Sequence, residues 1–166
     1  MDLLDRLLGH DAWTTRHLLL RCEELSDAQL DQAFDIGHRS VRATLLHIIR
    51  NIEVWSDLMA GQPVRANLND QSPGRSVPGM MTRLDLAAAD LSAVAHSVAQ
   101  RGGWDEQWLD HLDDPPAHKT YGASIAHIIT HSMHHRAQVL YMLRRLGLVG
   151  LPEGDVFSWE RQARAD

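Results

Sequence analysis

Histidines four residues apart on one helix are the side chains of this sequence best placed to do chemistry. The stretch from Tyr121 to Gly147 contains His127, His131, His134 and His135. Side chains at i and i+4 lie on nearly the same side of a helix, so His131 and His135 project one turn apart, a spacing suited to chelating one metal ion. Stepping about 100° per residue from His131 puts His135 near about 40°, with Ile125, Ile128, Val139, Met142, Leu143 and Leu146 spread over roughly 20° to 120°. The pair therefore points along the edge of a buried face. Two histidines on one helix are a weak signal in a chain that has eleven, and a third ligand has to come from another element.

The helix that carries the pair has the signals of a long one. Ser124 or an earlier small residue can cap its start, Arg144 and Arg145 favour its last turn, and Gly147 can take the left-handed position beyond it. A preceding helix runs from Ser40, its cap, to about Ala60, with Val41, Leu45, Ile48, Ile49, Ile52, Trp55 and Met59 on the buried side. His47 stands at the border of that side, beside a polar strip of Ser40, Thr44 and Asn51. A first helix spans Asp2 to Leu25, and Asp11 lies at the centre of its apolar arc, where an unpaired carboxylate is costly. A further helix, from about Met80 to Gln100, carries alanines that let a neighbour approach closely.

Between these helices lie connections. The stretch Ser26 to Arg39 is polar and reads as a linker with a short helical turn at Ser26. The segment Gly61 to Gly79, with its prolines and glycines, is long for a bundle, and Trp104 to Lys119 is a second long crossover with strand-like alternation at Gln107 to Leu112. Phe157 and Trp159 in the tail can fold back onto the bundle. An all-α, four-helix bundle with two long crossover connections is the expected fold, as one domain over 1–166.

If the helices bearing His47, His131 and His135 are neighbours, three imidazoles converge and leave a position open for water or substrate. Ligation without cysteine admits several metals. The same wheel puts Arg136 near about 140°, on the buried side, where a guanidinium must be paired. Asp11 is the expected partner, with Glu53 or Asp155 as alternatives, and the pair would hold the last helix in register.

The run Leu45-Leu46-His47-Ile48, then His127 through Gln138, then Leu143 to Gly147, resembles the DinB/YfiT-like family of DNA-damage-inducible bacterial proteins. The likeness extends to Asp11-Ala12-Trp13 and Arg16 to Leu19 near the start and to Leu151-Pro152 with Asp155 near the end. The resemblance implies up-down-down-up wiring, a homodimer, and a divalent metal held by His47, His131 and His135; on the helix-face reading above, Asp11, Arg136 and Asn51 stand behind them. Zinc or nickel leads the expected metals, with iron, cobalt, manganese or copper compatible. Ala137 departs from the family's usual glycine. Relatives of the wider family include transferases that use low-molecular-weight thiols, which implies a thiol aimed at an electrophilic small molecule. A metal-dependent hydrolase and a non-enzymatic metal-binding stress or sensor protein are the alternatives.

Composition narrows the partners. A formal charge of −6 argues against a nucleic-acid partner, since phosphate neutralisation needs a basic face. No apolar run is long enough to span a membrane, and acids stand near the N-terminus where a signal peptide would be basic. The single cysteine, Cys22, lies on an apolar stripe and suits a packed thiol in a reducing, cytoplasmic setting.

Overall fold

A computed structural model of the protein describes residues 1–152 and 154–163. Four long helices dominate it: α1 (Leu3–Cys22), α3 (Val41–Met59), α4 (Val77–Gln100) and α5 (Tyr121–Arg145). Two short helices, α2 (Asp27–Leu30) and α6 (Val156–Ala163), and a two-stranded antiparallel sheet of β1 (Gln107–Asp110) and β2 (Ala117–Thr120) complete the described elements.

Each long helix begins at a side chain that accepts from the orphaned backbone amides of the first turn. Asp2 accepts from Asp5 N in a capping box, Ser40 from Ala43 N, Ser76 from Gly79 N and Thr120 from Ala123 N. Ser40 is the cap expected for α3, whereas Thr120 caps α5 in place of Ser124. α4 starts before Met80 because Pro78 sits in its first turn, where the missing N–H is not needed. Gly147 follows α5 with φ of 89°, the left-handed conformation expected of it.

The long helices pack in a closed order, α1 against α4, α4 against α3, α3 against α5 and α5 against α1. Leu18, Ile48, Ile52, Leu84, Ile128 and Met142 are fully buried at the centre. The adjacency of α3 and α5 is what the site needs. The segment between α3 and α4 joins neighbours, while the segment between α4 and α5 holds the small sheet, whose second strand was not anticipated. Trp108 of β1 is buried and donates from Nε1 to Ser124 Oγ at 3.0 Å, pinning the sheet to the first turn of α5.

α6 folds back on α1. Trp159 is buried there, and a Cβ on Gly9 would stand 2.5 Å from its ring, so glycine is what lets the indole lie against the helix. Phe157, expected to join it, is exposed. His96 places Nε2 2.9 Å from the Asp5 carboxylate and links α4 to α1.

Candidate metal centre

The imidazoles of α3 and α5 meet. His131 Nε2 is 3.1 Å from His47 Nε2 and 3.1 Å from His135 Nε2. Two nitrogens bound to one ion at about 2.0–2.1 Å stand roughly 3.0–3.4 Å apart, so both contacts have the length of an edge of a coordination shell. His38, from the turn before α3, adds a fourth ring, stacked on His47 with centroids 3.8 Å apart and 5.1 Å from the centroid of His135. The ligand nitrogens of His38, His47 and His135 all lie within 4.8 Å of one another, a three-histidine group able to hold a metal ion.

Protons alone do not satisfy this cluster. Gln138 Oε1 lies 2.8 Å from His135 Nδ1, and since a carbonyl oxygen only accepts, the His135 proton sits on Nδ1 and leaves a lone pair on Nε2. If His131 Nε2 carries a hydrogen, that one in-plane hydrogen cannot serve both neighbours. If it does not, two lone pairs face each other across 3.1 Å. In neither tautomer do both contacts become hydrogen bonds, whereas a shared cation resolves the conflict. The residues therefore fit a divalent metal.

Electrostatics favour the neutral, ligating form of two of these rings. Burial, with the charges of His38, His135 and His131 adding to it, pushes His47 down to about 4. Burial followed by His135, His127, His134 and His38 pushes His131 down to about 4. His38 is lowered too, first by burial and then by His135. Such shifts arise when several groups compete to be cationic in one partly dehydrated place.

The α5 pair is held from behind. Gln138 bridges its neighbours, its Nε2 donating to His134 Nε2 at 2.9 Å. Arg136 donates through Nη1 to the Asp11 carboxylate, and both residues are 3% exposed. The same Nη1 donates to Thr15 Oγ1 at 3.3 Å, while Nη2 finds no partner among the described residues. Of the alternative partners, Glu53 is instead clasped by Arg83 through 2.8 and 2.9 Å bonds, and Asp155 accepts from Ser158 N in α6. Asn51 stands one turn beyond His47, its Nδ2 buried without a partner among the described residues, as is His131 Nδ1.

A cavity of about 470 Å³ lies beside the cluster, lined in part by Trp55, Lys119, Ser124 and His127. His127 spans the two, its ring stacked 5.1 Å from Trp55 and 5.3 Å from His131. Lys119 reaches over Trp55 while paired with Asp110 and Asp113.

The description of the family model that matches residues 1–158 is DinB family. The chain belongs to the DinB family. No curated protein matches it. Within this DinB protein, helical spacing brought out His47, His131 and His135, but not His38 or the role of Gln138. His38 lies in a segment read as a mere linker, because ligands on a turn leave no periodic trace. Its one local signal is the order Gly37-His38-Arg39-Ser40, a glycine and a histidine just ahead of the cap of the helix that bears His47. Gln138 was visible as a glutamine one turn after His135, yet nothing in the sequence showed its amide facing the ring.

Proposed function

We propose that this DinB-family protein is a metal-dependent transferase that activates a low-molecular-weight thiol at His47, His131 and His135. The observation that carries the reading is the convergence of imidazoles from two helices, His131 Nε2 lying 3.1 Å from both His47 Nε2 and His135 Nε2. An exclusively imidazole donor set suits zinc or nickel, with iron, cobalt, manganese or copper also compatible. Bound there, a divalent ion supplies Lewis acidity that holds a thiol as its thiolate at neutral pH.

The protein's own groups do the positioning. Gln138 keeps the His135 proton on Nδ1, so that Nε2 stays available. Arg136 and Asp11 tie α5 to α1, fixing the rotation that aims His131 and His135 together. Trp55 and His127 offer a stacked aromatic wall for an electrophilic small molecule next to the cluster. The thiol must come from outside, because Cys22 is fully buried and burial pushes its pKa up to about 12. The up-down-down-up wiring, a homodimer and a cytoplasmic location belong to the same reading.

The test uses protein purified without an affinity tag. Elemental analysis is expected to give stoichiometric metal in the wild type and none in the triple variant His47→Ala, His131→Ala, His135→Ala. Turnover of an epoxide or a halogenated aromatic should then require both the metal and an added thiol. Hydrolysis without thiol would replace the transferase by the hydrolase reading, and a metal-loaded protein inert in both assays would favour a binding or sensing role.

A further inference from the structure

We propose that His38 is a fourth nitrogen ligand of this centre, carried on a rigid turn and displaceable by an incoming small ligand. The proposal rests on the reading that the site holds an ion. Ligands on packed helices are not readily withdrawn. A ligand on a surface turn can be, and His38 is the exposed member of its triplet, whereas His135 is buried.

The turn is built for the position it occupies. Gly37 and Arg39 both have positive φ, 51° and 70°, and Arg39 is the one non-glycine residue in that region among the described residues. L side chains rarely adopt that conformation, and departures of this kind cluster at functional sites. Backbone bonds close the turn on itself, Arg39 N donating to Ile36 O at 2.9 Å and Phe34 N to Arg39 O at 2.6 Å. Phe34 and Ile36 are packed against the core, so the turn is anchored at its base. Ser40, the next residue, caps α3.

A second observation ties the turn to the centre. A Cβ on Gly37 would lie 2.1 Å from Gln138 Oε1, the atom that accepts from His135. The turn therefore lies close against the amide that sets the tautomer of a ligand, and a side chain at position 37 would have to push that amide aside. A histidine carried there merely for surface packing needs neither the strained neighbour nor this contact. With His38 in place the centre has four imidazoles, and with its exposed side chain swung away it has three and an open position.

The test loads the full chain, without tag histidines, with cobalt(II). X-ray absorption counts the imidazoles, and visible spectra follow titration with azide as a probe of the open position. The expected result is four imidazoles in the wild type and three in His38→Ala, at about one cobalt per chain in both, with azide binding at lower concentration in the variant. Gly37→Ala, which keeps the histidine but shifts its turn, should also lose the fourth imidazole. An equal imidazole count and equal azide affinity in wild type and His38→Ala would overturn the proposal while leaving the three-histidine reading intact. A wild type that takes up no cobalt, or a His47→Ala variant that takes up as much, would overturn both.

Discussion

A histidine ligand has to be neutral, and His47 and His131 are held neutral by their surroundings. In an unfolded chain each would take a proton near its ordinary value of 6.5, but in the folded protein each does so only near about 4. Between those values the unfolded state binds more protons than the native one, so these two residues make stability fall as pH drops through the window from 6.5 to about 4. In metal-free protein the urea midpoint is expected to decrease from pH 7 to pH 5, and His47→Gln to flatten part of that slope. His96, whose pKa is raised by the Ser92 carbonyl and then by Asp5, acts in the opposite sense, which is why the difference between wild type and variant is the quantity to read. Identical slopes would mean that the cluster does not perturb His47.

The elements themselves were largely legible, because amphipathic period and caps are local properties. Asp11 and Arg136 stood out as charged residues on apolar faces, and the structure joins them across α1 and α5. The register of α5 depends on that pair. Removing only Asp11 strands a buried guanidinium, and Asp11→Ala is expected to cost about 3–5 kcal/mol in chemical denaturation. The double variant Asp11→Leu, Arg136→Met should recover much of that loss, since two apolar side chains of similar volume need no partner. If it were as unstable as the single variant, packing rather than the stranded charge would explain the cost. What local pattern missed at this scale is instructive: the second strand, Ala117–Thr120, is too short and polar to announce itself and exists because Gln107–Asp110 offers it a partner.

At the scale of the whole molecule, an ion bound as proposed between α3, α5 and the turn before α3 would cross-link parts of the chain far apart in sequence. Ligands that bind only the native state stabilise it, by about 2.7 kcal/mol at a free concentration one hundred times Kd. For a chain of this size that corresponds to a rise in Tm of roughly 5–10 °C, expected on adding zinc to chelated protein and absent from the triple histidine variant. An equal rise in that variant would place the binding elsewhere. The sequence by itself determined the long helices and the shared face of His131 and His135, because helix geometry converts spacing into direction without reference to the rest of the chain. Only the tertiary structure decided that α3 lies beside α5, that Asp11 rather than Glu53 meets Arg136, and that His38 joins the cluster. Those facts depend on how distant segments pack, and a turn held in place by its neighbours carries no period from which its position could be read.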